Sequence, residues 1–213
     1  MVNKKLKICA IADTHGKHWD IKIPKCDIFI FAGDAEIDSL LALHDFNDWL
    51  GTIKANYKIV VGGNHDRYLE FIGKEECKRL LTNCIYLEDE EVTINGIRFY
   101  GSPYSPEFNN WSFMYPRRSK EAKEIWEKIP KDTDVLISHC PPYGILDRNL
   151  NDERCGCEVL QRILFDRNIK HVIFGHIHGW GGQSINQIGI NFYNCSVLNE
   201  QYQLSYKPTI LEV

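Results

Sequence analysis

Residues 57–66 read Tyr57-Lys58-Ile59-Val60-Val61-Gly62-Gly63-Asn64-His65-Asp66. A short β-branched run closed by glycines is the pattern of a strand buried on both faces, as in a sheet covered by helices. The polar Asn64-His65-Asp66 stands where the chain leaves that strand, and the same arrangement recurs on either side. Upstream, the apolar run 7–12 ends in Asp13-Thr14-His15 and the run 27–32 ends in Gly33-Asp34. Downstream, 134–138 is followed by His139, and 171–175 by His176-Ile177-His178. Amphipathic segments with helical spacing lie between them at 37–53, 74–81, 119–129 and 157–167, so strands and helices alternate and the fold class is α/β.

Other strands break the parallel pattern. Residues 91–94 and 97–100 flank Asn95-Gly96, whose positive-φ preference suits a tight hairpin turn. A second antiparallel set is expected near 183–187, 190–194 and 209–213, which makes the sheets mixed. Residues 101–118 show no clear period but carry three prolines and five aromatic rings, a composition more typical of a working loop than of a simple connection.

In such sheets the residues just beyond the carboxyl ends of neighbouring strands converge on one crevice. The five polar blocks therefore read as a single site offering carboxylate, amide and imidazole donors but no thiolate. That mixture suits Mn, Fe, Co or Zn in a reactive site and not a cysteine-rich structural zinc. Asp13 with His15, and His176 with His178, are each two residues apart; on extended backbone each pair would point the same way.

Bulk properties narrow the setting. Of 213 residues, 44% are hydrophobic and 25% charged, which excludes disordered, collagen-like and coiled-coil chains, and a single domain over 1–213 is expected. The net charge of -4 argues against a broad surface for nucleic acid or anionic membrane. No stretch approaches the roughly 18 apolar residues of a membrane span. The basic start, 1–7, precedes an apolar run too short for a secretion signal, so a cytoplasmic location is expected. There the eight cysteines would stay reduced, and Cys155-Gly156-Cys157, the one close pair, reads as ordinary thiols.

The ordered blocks Asp13-Thr14-His15, Gly33-Asp34, Gly63-Asn64-His65-Asp66, His139 and Gly175-His176-Ile177-His178 resemble the signature of the metallophosphoesterase (calcineurin-like phosphoesterase) superfamily. Segments 101–108, 111–113 and 138–144 further resemble its small branch of metallophosphoesterase-domain proteins, related to class III cyclic-nucleotide phosphodiesterases. This resemblance implies a four-layer αββα sandwich of two mixed β-sheets flanked by helices, with a dinuclear metal site at the sheet edges. It implies one divalent ion on Asp13, His15 and His178, and a second on Asn64, His139 and His176, with Asp34 bridging the two. Manganese is taken first, with iron, nickel, cobalt or zinc as alternatives. His65 is the implied catalytic acid, and Asp66 either orients it or caps a helix in solvent. His18 reads as an exposed turn residue, with support of the site as the alternative.

The implied activity is phosphodiester hydrolysis, favoured over monoester hydrolysis, by a hydroxide shared between two ions. A small phosphoester such as a cyclic nucleotide is the expected partner, with no membrane and with nucleic acid only as a substrate. The alternatives are a DNA or RNA nuclease of the same superfamily and a non-catalytic scaffold. Tyr104, Trp111, Phe113 and Trp180 could face a base or sugar, and Arg117 and Arg118 could grip phosphate; all six also read as local packing.

Overall fold

Strand β1 (Lys7–Ile11) turns Cys9 and Ile11 to one side and Ile8 and Ala10 to the other, and both sides are buried. The computed structural model describes residues 5–213, so the first four residues of the basic start lie outside the described residues. β2 (Ile28–Ala32) is buried throughout, and α1 (Leu40–Thr52) crosses to β3 (Tyr57–Val61), buried from Ile59 onward. Burial on two faces is why these strands read as unbroken apolar runs. After β3 come α2 (Arg67–Ile72), α3 (Lys74–Leu80), β4 (Ile85–Tyr86), and the hairpin of β5 (Glu90–Ile94) and β6 (Ile97–Ser102). Next follow β7 (Ser105–Pro106), β8 (Met114–Tyr115), α4 (Lys120–Glu127), β9 (Val135–Ser138), α5 (Glu158–Leu164) and β10 (His171–Phe174). The chain closes with β11 (Ser184–Gln187), β12 (Ile190–Asn194) and β13 (Thr209–Glu212).

One sheet has the order β13-β1-β2-β3-β4 and the other β11-β12-β10-β9-β6-β5. Within each, the central strands run parallel while β13, β11 and β5 pair antiparallel, so both sheets are mixed. Three cores separate four layers. Leu43, Phe46, Trp49 and Leu50 of α1 pack on Ile11, Phe29, Phe31 and Val60. Ile8, Ile30, Ile59 and Val61 meet Phe99, Val135, Ile137 and Ile173 between the sheets. On the far side, Ala122, Trp126, Leu160 and Leu164 pack on Leu136, Val172 and Phe174. The architecture is the αββα sandwich that the family resemblance implies.

Local differences have local causes. α1 begins at Leu40 and not near residue 37, because the Ser39 hydroxyl accepts from Ala42 N and caps the helix there. α2 was not anticipated; its six residues are too few to display an amphipathic period. The aperiodic stretch 101–118 contains β7 and β8, which pair in parallel with each other and fold the loop back on itself. Asn95 and Gly96 take φ of 51° and 83°, as the hairpin signal requires. No helix among the described residues is long and apolar enough to cross a membrane.

All eight cysteines are free, and burial pushes the Cys77, Cys84 and Cys195 thiols up to about 12. Such thiols stay protonated and unreactive at neutral pH. A non-chelating reductant is therefore expected to leave thermal unfolding unchanged; a lower melting temperature after reduction would reveal a bond the fold does not use.

Candidate metal centre

The parallel strands β1, β2 and β3 of one sheet and β9 and β10 of the other release their chains at one rim. Crossed hydrogen bonds tie the two sheets together there. His176 N donates to both oxygens of Asp13, at 3.0 and 2.9 Å, and the His139 ring Nδ1 lies 2.9 Å from Ala32 O. Ser196 Oγ donates to Asp13 Oδ2 as well. The motif glycines permit this closeness: a Cβ on Gly63 would stand 2.6 Å from Asp34 N, and one on Gly175 would strike Asp13.

Beyond the strands the backbone is not extended. Asp13, His15, Asp34 and His176 have φ of 56°, 42°, 61° and 71°, the left-handed region that non-glycine residues seldom enter. His178 opens a 3-10 turn, His178–Trp180. The expectation that residues two apart share a direction therefore fails for His176 and His178, which enter different groups. Asp13, His15 and His178 form one cluster of converging ligand atoms, and Asp34, His139 and His176 form another. Asn64 joins the second cluster, its Oδ1 2.9 Å from His139 Nε2. Asp34 lies between the two, with Oδ2 3.3 Å from His139 Nε2 and 3.9 Å from His15 Nε2.

The spacing and protonation of these atoms fit divalent ions. Donors bound at 2.0–2.2 Å to a single ion stand about 3.0–3.4 Å apart. His15 Nε2 and His178 Nε2 are 3.2 Å apart, as are His176 Nδ1 and His139 Nε2. Backbone carbonyls fix two of the rings: His139 Nδ1 faces Ala32 O, and His178 Nδ1 faces Asn199 O at 3.1 Å. A ring that donates through Nδ1 presents a bare lone pair at Nε2, so both lone pairs aim into the clusters. Burial opposes charge on His139, but the Asp34 carboxylate lifts it to about 9, whereas burial and the charge on His139 depress His176 to about 3. One positive charge is thus already favoured where an ion would sit.

His65 lies at the cavity beside both clusters. Its ring meets His15 edge-on at 4.6 Å and packs on Trp111 at 4.2 Å, and the Arg67 guanidinium lies 4.5 Å from that indole. Glu36 Oε2 stands 2.7 Å from His15 Nδ1 and 3.3 Å from His65 Nδ1, the latter contact falling short of hydrogen-bond alignment. The hydrogen bond from His15, with the His65 ring close by, holds the Glu36 carboxyl down at about 2.

Several sequence readings need correction. Asp66 neither orients His65 nor caps α2 in solvent. It is 1% exposed, and it accepts from Asp34 N, Ala35 N, Ile37 N and Gly63 N at 2.9–3.0 Å. His18 is buried, not an exposed turn residue; its Nε2 pairs with Asp45 at 2.9 Å, and its ring packs on Phe46 and Trp49. Phe113 is buried in the core, and half-buried Trp180 packs on the far core with its Nε1 donating to Arg148 O, so neither lines the cavity. Arg117 lines the cavity, but it and Arg118 both pair with Glu158. Glu36, Phe108 and Tyr202 were not assigned from sequence. Phe108 packs on His176 at 5.4 Å, and Tyr202 on His15 and His178 at 4.8 and 5.1 Å. Glu36 offered one signal, its position two residues after Asp34; Tyr202 is far from every motif and offered none.

The chain belongs to the calcineurin-like phosphoesterase family, whose profile matches residues 6–180. Membership supports a metal-dependent phosphoester hydrolase, consistent with the carboxylate and imidazole clusters. Among its relatives, Metallophosphoesterase domain-containing protein 1 of Homo sapiens is 35% identical over 97% of this chain and 71% of its own. A UPF0046 protein of Caenorhabditis elegans is 34% identical over 98% of this chain, which spans 60% of that relative's length. The fold is shared with phosphopantetheinyl hydrolase from Mycobacterium tuberculosis, at a TM-score of 0.60 and 17% identity over 94% of this chain and 92% of that one.

Proposed function

We propose that the protein is a dinuclear-metal phosphodiesterase acting on a small phosphodiester such as a cyclic nucleotide. The observation that carries this reading is the pair of donor clusters, with Asp34 between them and His65 beside them, at one cavity of about 560 Å³. Asp13, His15 and His178 would hold one ion; Asn64, His139 and His176 would hold the other, and Asp34 would serve both. When bound, such ions neutralise phosphoryl charge and make water available as a nucleophile near neutral pH. The chain's own contribution is to fix the ligand rings through backbone carbonyls, to pack the His65 ring between His15 and Trp111, and to supply a proton to the leaving oxygen from His65. The cavity size and the net charge of -4 favour a small anionic diester over a polynucleotide. Manganese is the first choice of metal, the cytoplasm the setting, and residues 1–213 act as one catalytic domain.

The test uses metal-free protein reloaded separately with Mn²⁺, Ni²⁺, Zn²⁺ or Mg²⁺, assayed on bis-p-nitrophenyl phosphate, p-nitrophenyl phosphate, cyclic nucleotides and oligonucleotides. Absence of turnover under every condition would sink the enzyme reading and leave a scaffold; preference for oligonucleotides would make it a nuclease. His65→Ala should lower kcat by roughly 10²-fold while metal content stays near that of the parent. A metal-depleted His65→Ala protein would show that the ring is a ligand and not the acid.

A further inference from the structure

We infer that Glu36 is a positioning residue that sets the tautomer and direction of the His15 imidazole. Its consequence for metal affinity rests on the proposed role of His15 as a ligand; the tautomer itself does not. One carboxylate oxygen, Oε2, stands 2.7 Å from His15 Nδ1 and 3.3 Å from His65 Nδ1, and the two rings touch edge to face. His15, Glu36 and His65 also have the composition of a cation site. The shorter distance decides between the two uses. Two donors on one ion at 2.0–2.2 Å lie about 3 Å or more apart, so 2.7 Å is a hydrogen bond with a proton in it.

The carboxylate is held there from the backbone. Ala35 N and Ile37 N, on either side of Glu36, both donate to Asp66 Oδ1 at 3.0 Å. Between these two anchored peptides Glu36 adopts φ of 69°, an unusual conformation for a residue with a side chain. Buried Asp66 thus acts on His15 indirectly, by fixing the peptides that aim Glu36. With Nδ1–H turned to Glu36, His15 has its Nε2 lone pair facing His178 Nε2 at 3.2 Å and Asp34 Oδ2 at 3.9 Å. A carboxylate behind a ligating imidazole is a known way to orient the ring and raise its basicity. The same oxygen also lies 3.3 Å from His65 Nδ1, without the alignment of a hydrogen bond.

The experiment compares the parent protein with Glu36→Ala and Glu36→Gln. In metal-free protein, above the imidazole titration range, long-range ¹H–¹⁵N correlation of the histidine rings should show Nδ1–H for His15 in the parent. That tautomer should persist in Glu36→Gln, which keeps an acceptor, and be lost in Glu36→Ala. Calorimetric Mn²⁺ titration should show roughly 10- to 100-fold weaker binding at one site in Glu36→Ala, largely restored in Glu36→Gln. In the reloaded enzyme, kcat should fall by a similar roughly 10- to 100-fold factor while KM moves by less than about 2-fold. An Nε2–H tautomer at His15 in the parent overturns the inference whether or not a variant folds. So does unchanged metal affinity in Glu36→Ala, or a third bound equivalent of Mn²⁺ that the alanine variant loses. If no phosphoester is hydrolysed by the parent, the proposed function fails, while the tautomer and affinity measurements still decide the role of Glu36.

Discussion

Asp34→Asn is expected to yield a folded protein that loses at least one of the two proposed ions and about 10³-fold or more of its kcat/KM, the equivalent of some 4 kcal/mol. The substitution changes one atom. The Oδ1 that the new amide keeps can still accept from His65 N, the 2.8 Å bond that ties the Asn64-His65 turn to the end of β2. What changes is the other oxygen, which stands between His139 Nε2 and His15 Nε2 and would become an amide nitrogen without a lone pair for a cation. Burial works against charge on Asp34, yet His139, His15 and His65 hold its carboxyl well below the usual range, so the wild-type group is an anion. The measurements are elemental analysis of the purified variant and turnover of the best diester substrate. Full metal content with normal kcat/KM would remove Asp34 from the centre and with it the two-ion reading.

Asp66 should be the most important polar side chain for stability. Its Oδ2 receives Asp34 N and Gly63 N, and its Oδ1 receives Ala35 N and Ile37 N. Burial and the nearby Asp34 charge push its carboxyl up to about 6, against backbone N–H donors from Ile37 and Gly63. Asp66→Ala strands four buried donors, and at about 1–3 kcal/mol for an unsatisfied group, softened by water entering the space, a loss of about 3–5 kcal/mol is expected. Asp66→Asn is the sharper test. Whichever way the amide turns, its NH₂ faces two N–H groups, so the near-isosteric change should still cost about 2–5 kcal/mol. Urea unfolding of metal-free proteins measures both. An asparagine variant within about 0.5 kcal/mol of the parent would show that the two loops do not depend on these bonds.

Much of the fold was legible because burial on two faces writes itself into a strand as an unbroken apolar run, visible at 7–12, 27–32 and 57–61. The Asn95-Gly96 hairpin was legible for a different reason: its turn chemistry is local. α2 escaped because six residues carry no period, and the β7–β8 pairing escaped because it joins residues across a loop whose prolines and aromatics give no alternation. At the site, the motif residues could be named from their order along the chain, but the tasks of their neighbours could not. Asp66 sits next to His65 in sequence and turns away from it to bind backbone on two loops, while Glu36, on another strand's exit, reaches the ring.

By itself the sequence determined which residues leave the strand ends, and through strand alternation with helices that those ends share a rim. Only the tertiary structure decided how the side chains are divided there. His176 and His178 part company because one lies in left-handed backbone and the other opens a 3-10 turn. His139, buried, is aimed by a carbonyl 107 positions away, and His15 by Glu36, 21 residues downstream. Direction at a strand's exit is set by dihedral angles and by hydrogen bonds from other strands, and neither is a property of the residue types nearby in the chain.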